Sequence, residues 1–143
     1  MMQPELDAVY RQTSYWVETP EFAAKLRIGE QAPEFDACLR PLGVTEWAII
    51  TACNPQSDPH PPKENRRRLR LLAARLLEAG YVTGHALGVG DAGDWYPEPS
   101  FCVLRIAAEI AAEIAREFQQ HAIVIGKLGI APELHFVLAP PGK

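Results

Sequence analysis

The chain has 143 residues, of which 48% are hydrophobic and 22% charged, and its formal net charge is −4. This composition excludes wholesale disorder, and the length fits a single domain over residues 1–143. Apolar runs fall far short of the roughly 20 residues of a bilayer helix, and the N-terminus lacks the apolar segment of a secretory signal, so no membrane association is predicted.

The first third of the chain predicts strands and then a short helix. Residues 10–19 (YRQTSYWVET) are rich in aromatic and β-branched residues and predict a first strand, and residues 22–28 predict a second. A short helix is expected to begin at Ala32-Pro33, since proline is tolerated in a first helical turn. Residues 45–52 (TEWAIITA) predict a strand that is apolar on both faces, as in the centre of a sheet.

Two strong helices are predicted in the rest of the chain, over residues 63–79 and 107–120. Each carries an apolar stripe at helical spacing, made of Leu69, Leu72 and Leu76 in the first and of alanine and isoleucine in the second. Further strands are predicted at residues 81–87, 100–106, 121–126 and 134–138.

The predicted elements follow one another in the order ββαβαββαββ, with no linker between them. This order predicts an α+β (mixed α/β) fold in which one mixed β-sheet carries two main helices and a shorter third. The two ends, about residues 1–12 and 139–143, are expected to be flexible.

Two patterns resemble known motifs but lack the necessary context. Residues 88–93 match the letters G-x-G-x-x-G, but a loop follows them where a dinucleotide site needs a helix. Asp91 and Asp94 provide too few oxygen ligands for a cation site, and no histidine has zinc-ligand spacing to a cysteine. The sequence therefore predicts no metal site and identifies no cofactor.

The cysteines and histidines are interpreted as structural residues. Cys38, Cys53 and Cys102 are too few and too widely spaced for a disulfide framework, which favours a reducing, cytoplasmic location. Cys53 follows a predicted strand, where nucleophiles often lie, yet a buried core cysteine is the preferred interpretation. His121 and His135 are interpreted as hydrogen-bonded residues of apolar strands.

One basic segment stands out in an acidic chain. Five of the ten arginines lie between residues 66 and 75. Arginines 66–68 oppose the dipole at the start of their helix, because a helix N-terminus carries partial positive charge. They either pair with acids such as Glu98, Asp58 or Glu64, or they help free backbone N–H groups to bind an anion. The negative net charge disfavours binding to nucleic acid.

Polar side chains collect in three segments, at residues 51–57, 65–67 and 98–100. Since ligands gather beyond the C-terminal ends of strands in sheets with parallel strands, we expect the three segments to form one site. Asn54 and Asn65 also suit a turn and a helix cap, so a structural interpretation stays open. The candidate catalytic acid or base is Glu98, and the candidate ligand-binding residues are Asn54, Ser57, Asn65, Arg66 and Ser100.

These segments resemble a known family. The blocks are ITACNPQS at residues 50–57, ENRRRLRLLAARL at 64–76, EPSFCVL at 98–104 and EFQQHAIV at 117–124. They are similar to small bacterial proteins catalogued as domain of unknown function 3293. The resemblance implies a shared fold but no activity, a bulkier residue than Cys53 in typical members, and asparagine in place of His121. It draws attention to the same polar positions and adds Gln119 or Gln120.

Three functions are compatible with these observations. The preferred one is a cytoplasmic domain that binds a small anionic ligand, such as a nucleotide or a phosphorylated metabolite. The first alternative is a small hydrolase or transferase in which Glu98 is the acid or base and Asn54 and Arg66 orient the substrate. The second is an interaction module in which Trp95 and Tyr96 anchor a protein partner.

Overall fold

The computed structural model describes residues 3–92 and 97–138. Its helices α1 to α4 occupy Gln3–Arg11, Pro33–Leu39, Pro62–Glu78 and Ala108–Glu117, and two short 3-10 turns occupy Arg40–Leu42 and Pro55–Ser57. Its strands β1 to β7 occupy Thr13–Glu18, Ala23–Leu26, Glu46–Ile50, Thr83–Gly90, Glu98–Leu104, Ala122–Lys127 and Glu133–Phe136. The α+β class predicted from the sequence is confirmed.

Helix α1 is the one α-helix of the described residues that the sequence did not predict. Residues 1–12 were expected to be flexible, and the first strand was expected from Tyr10, whereas β1 begins at Thr13. Leu6, Val9 and Tyr10 form a short apolar stripe at helical spacing, of which Leu6 is the buried residue, so the pattern in this nine-residue helix is weak. No helix in the described part of the chain has the length and apolarity needed to cross a membrane.

The strands form one sheet in the order β2-β1-β4-β5-β3-β6-β7. All six neighbouring pairs are antiparallel, whereas a mixed sheet was expected. Strand β5 lies between β3 and β4 and is antiparallel to both, so β3 and β4 run in the same direction. The C-terminal ends of β3 and β4 and the N-terminal end of β5 therefore lie side by side at one end of these strands.

The centre of the sheet has the split βαβ arrangement of ferredoxin-like folds. The unit β3-α3-β4 encloses β5, and the unit β5-α4-β6 encloses β3. Strands β1 and β2 extend this sheet beside β4, and β7 extends it beside β6. The site segments predicted from the sequence all lie in the central unit.

A hydrophobic core lies on each face of the sheet. On one face Phe35 of α2 packs with Trp47 of β3 and Cys102 of β5. On the other face α3 and α4 cover β3 and β5, with Leu72 and Ile114 in the centre of the packing. Side chains alternate along a strand, so residues 98 and 100 of β5 project to the same face as Cys102.

The indole of Trp47 fixes the identity of residue 126 on the neighbouring strand. Trp47 pairs with Gly126 across β3 and β6, and its ring meets Phe35 edge to face with 5.1 Å between centroids. A Cβ at position 126 would lie 2.0 Å from the indole, so glycine is needed there for the ring to lie flat on the strand.

Candidate functional site

The three polar segments meet at the end of the sheet where β3 and β4 finish and β5 begins. Asn54 lies at the centre of this group: its Nδ2 donates to Oε2 of Glu98 at 3.2 Å, and its Oδ1 accepts from Nδ2 of Asn65 at 2.9 Å. The backbone N–H of Asn54 donates to Oδ1 of Asn65 at 2.9 Å. Asn65 on α3 thus holds the Asn54 side chain against the carboxyl of Glu98 on β5.

The orientation of the Asn54 amide follows from these partners. Its Oδ1 also accepts from the backbone N–H of His60 at 2.9 Å, and a carbonyl oxygen is the end of the amide that can do so. The NH2 end must then face Glu98. Asn65 secures this arrangement from the first turns of α3, where its Nδ2 also reaches the carbonyl of His60 at 3.3 Å.

The turn that follows Asn54 has an unusual backbone. Positive φ angles of 47°, 56° and 60° occur at Asn54, Gln56 and Ser57. Such a conformation costs a residue with a side chain about 1–2 kcal/mol, and asparagine tolerates it best. The end of α4 holds the turn in place, because the N–H of Gln56 donates to the carbonyl of Gln119 at 2.7 Å. Gln120 adds a bond from its Nε2 to the carbonyl of Cys53 at 3.0 Å.

The Glu98 carboxyl has an unusual proton affinity. The side chain retains partial contact with solvent but is enclosed by protein, and this burial raises its pKa from 4.5 to about 7. The hydrogen bond from Asn54 acts in the opposite direction. No arginine or lysine among the described residues forms an ion pair with Glu98, although the sequence left that pairing open.

Two tyrosines of the N-terminal segment contribute to this enclosure. Tyr15 of β1, Gly88 of β4 and Glu98 of β5 form one row across the sheet. Because Gly88 has no side chain, the Tyr15 ring can lie over it, 3.4 Å from where a Cβ would be. Burial raises the pKa of Tyr15 and of Tyr10 on α1, and the nearby charge of Glu98 raises both pKa values further.

Cys53 is buried, as the sequence predicted, with 2% of its surface exposed. Its Sγ lies 3.7 Å from the carbonyl of Pro99, and burial raises the pKa of the thiol to about 11. A thiol in this state carries almost no thiolate at neutral pH, which disfavours a nucleophilic role.

The three arginines at the start of α3 differ in their surroundings. Arg67 pairs with Glu64 on the helix surface at 2.7 Å. Arg68 is half-buried, and its guanidinium donates to two backbone carbonyls, those of Ala52 and Phe118. Arg66 is exposed and makes no hydrogen bond or ion pair within the described part of the chain. The structure therefore does not bring Arg66 into contact with Asn54 or Glu98.

The two candidate serines lie in different places. Ser100 is buried on β5, and its Oγ donates to the carbonyl of Glu98 at 3.2 Å. Ser57 is exposed in the turn after Asn54, and its Oγ lies 2.8 Å from Nδ1 of His121. This contact was missed, because 64 positions separate the two residues and no spacing pattern connects them.

A cleft of about 770 Å³ runs along β1, β4 and β5. Pro99, Ser100 and Phe101, which follow Glu98 on β5, line one side of it, and Trp16 and Leu87 provide apolar surface. Glu98 and Asn54 are not among its lining residues, so a small molecule in the cleft would contact the residues that follow Glu98 on β5.

The loop after β4 lies partly outside the described residues. Gly88 and Gly90 belong to β4 itself, and Asp91 forms an ion pair with Arg27 at 2.8 Å. Gly93, together with Asp94, Trp95 and Tyr96, lies outside the residues that the structure describes. Residues 3–92 and 97–138 contain no group of three or more histidine, cysteine or acidic side chains that could hold a metal ion.

Comparison with known protein families identifies a match. A family model described as "Protein of unknown function (DUF3293)" matches residues 50–123, more than half of the chain. The matched segment contains the polar network of Asn54, Asn65 and Glu98, and also the Ser57–His121 contact. No curated protein and no solved structure matches the chain.

Proposed function

This chain belongs to the DUF3293 family, whose members are described as proteins of unknown function, and we propose that it is a small hydrolase or transferase with Glu98 as the acid or base. The observation that carries this proposal is an enclosed carboxyl with an amide partner, no cationic partner among the described residues, and a pKa of about 7.

A pKa near the working pH suits proton transfer. At neutral pH such a carboxyl is present in both forms, so it can accept a proton from a substrate and return it within one reaction. A carboxyl paired with an arginine would stay ionised at this pH and could not donate a proton. The fixed Asn54 amide orients one oxygen of Glu98. The other oxygen has no hydrogen-bond partner among the described residues and is the one that could meet a substrate.

The proposal is tested with a panel of p-nitrophenyl carboxylate and phosphate esters. We expect turnover of at least one ester with a pH dependence near pH 7, and a loss of about 100-fold or more in Glu98→Gln, the usual contribution of a general acid or base. Glu133→Gln, at an exposed position of β7, is the matched control and should retain the full rate.

A direct titration of Glu98 is independent of the choice of substrate. Carbon-detected NMR of the glutamate carboxyls, assigned by comparison with Glu98→Gln, should show one group that titrates near pH 7. Titration of Glu98 near its ordinary value of 4.5 would remove the basis of the proposal.

Binding of a small anion at the start of α3 is the second candidate function. Helix α3 begins at Pro62 without a side-chain cap, so the N–H groups of Lys63 and Glu64 are available to an anion. Arg66 in the next turn is exposed and unpaired among the described residues. Because an ionised Glu98 repels anions, the anion site at the start of α3 is considered apart from the acid–base site at Glu98. Phosphate and nucleotides should raise the melting temperature of the wild type and of Arg70→Ala, but not of Arg66→Ala.

A cytoplasmic location is also proposed, since all three cysteines are free thiols and two of them are buried.

A further inference from the structure

We propose that Ser57 and His121 form a nucleophile and its base, which take part in acyl or phosphoryl transfer through a covalent serine intermediate. This inference concerns a pair of side chains separate from Glu98, and it stands or falls independently of the acid–base proposal above.

The geometry of the pair is that of an activated hydroxyl. Ser57 Oγ lies 2.8 Å from Nδ1 of His121, within the range in which a base accepts a hydroxyl proton. The two partners differ sharply in exposure, since Ser57 is exposed while only 3% of His121 is accessible. A substrate can therefore reach the serine oxygen while the imidazole stays shielded behind it.

The backbone holds Ser57 in a conformation that supports this role. Its φ of 60° places it at the end of the turn with positive φ angles, and nucleophilic serines in hydrolases often lie on such strained turns. The bond from Gln56 N–H to the Gln119 carbonyl joins the turn to the segment that leads into His121. The turn and the base are thus fixed to one another.

The ring of His121 is in the protonation state that a base requires. Burial lowers its pKa below the ordinary 6.5, so it is neutral at pH 7, and in the tautomer with a proton on Nε2 the hydroxyl donates to Nδ1. Charged side chains of the flanking segments include Asp58, exposed beside the turn, Arg68 on α3, and Arg116 and Glu117 at the end of α4. Both arginines donate to backbone carbonyls, and neither pairs with a carboxylate among the described residues.

The chemical step balances without a cofactor. Ser57 Oγ attacks the carbonyl carbon or the phosphorus atom, the hydroxyl proton passes to Nδ1 of His121, and the leaving group departs with the electron pair of its broken bond. Gln56 precedes Ser57 and donates its backbone N–H to the carbonyl of Gln119; both residues are exposed, and neither side-chain amide forms a hydrogen bond within the described residues. They are the candidate donors to the negative oxygen that develops.

A fluorophosphonate probe tests this inference on the intact protein. Attack by Ser57 forms an O–P bond and breaks the P–F bond, releasing fluoride, and the adduct is located by peptide mass spectrometry. We expect one adduct, at Ser57, absent in Ser57→Ala, and a rate at least about 100-fold lower in His121→Asn, which keeps a hydrogen-bonding group but no base. Ser14 and Ser100, both buried, are the internal controls and should stay unlabelled.

The pH dependence in the wild-type protein provides a readout that needs no substitution at His121. The labelling rate should be constant above about pH 7 and fall as the pH drops through the lowered pKa of the ring. Absence of an adduct at Ser57 overturns the inference. So does an unchanged rate in a folded His121→Asn variant, or a rate that keeps rising with hydroxide concentration and shows no plateau.

Discussion

Replacing Glu98 with glutamine should stabilise the protein at high pH and remove a pH dependence of its stability. The folded protein holds the Glu98 proton up to about pH 7, whereas the unfolded chain releases it near 4.5. Between these values the folded state binds more protons than the unfolded state. The free energy of unfolding therefore falls as the pH rises through this window, and the loss is complete above pH 7.

The size of the effect follows from the two pKa values. One pKa unit corresponds to about 1.4 kcal/mol, so the change from 4.5 to about 7 corresponds to up to about 3 kcal/mol. The glutamine side chain has nearly the same shape and cannot ionise, so the folded variant does not carry the free-energy cost of a buried carboxylate. Relative to the wild type, Glu98→Gln should gain up to about 3 kcal/mol between pH 4 and pH 8.

Urea unfolding at pH values from 4 to 8 measures this difference directly. Glu133→Gln, exposed on β7, is the control and should follow the wild-type curve throughout. Parallel curves for wild type and Glu98→Gln would refute the reasoning, because they would mean that Glu98 ionises equally easily in the folded and unfolded states.

Two further substitutions test the packing around the site. Gly126→Ala places a methyl group where the Trp47 indole lies and should lower the free energy of unfolding by about 1–3 kcal/mol or more. Gly90 has open space around it, so Gly90→Ala should have little effect in the same urea titration. Arg68→Ala removes the donor to the Ala52 carbonyl and one of the two donors to the Phe118 carbonyl, which keeps Gln120, and should destabilise by about 2 kcal/mol. Arg67→Ala breaks only a surface pair and should leave the melting temperature nearly unchanged. Equal effects within either pair would contradict the roles assigned here.

Much of the fold could be predicted from local patterns. The apolar stripe of α3 and the continuous apolar run of β3 identify their elements because both are buried against the sheet. Helix α1 escaped prediction for the opposite reason, since only Leu6 is fully buried, Tyr10 packs partly against the core, and most of its other side chains meet water. The antiparallel order of the strands depends on contacts between distant segments, which a single sequence does not display.

The site was predicted in part, and for an incomplete reason. Asn54, Asn65 and Glu98 were expected together from a rule for parallel sheets, yet they meet because β3 and β4 run in the same direction on either side of β5. The contact between Ser57 and His121 depends on the path of a turn and on the end of α4, and neither leaves a periodic signal. Sequence reasoning finds residues of the right chemistry more readily than it finds their partners.

The row formed by Tyr15, Gly88 and Glu98 has a consequence for how such a protein can diversify. Glu98 lies within the segment that defines the family, but Tyr15 and Tyr10, which help to shut it off from water, come from the N-terminal hairpin and helix outside that segment. Substitutions in this peripheral covering would retune the acidity of the carboxyl while the central ferredoxin-like unit stays intact. The proposed acid–base group and the residues that adjust its acidity thus reside in separate portions of the polypeptide.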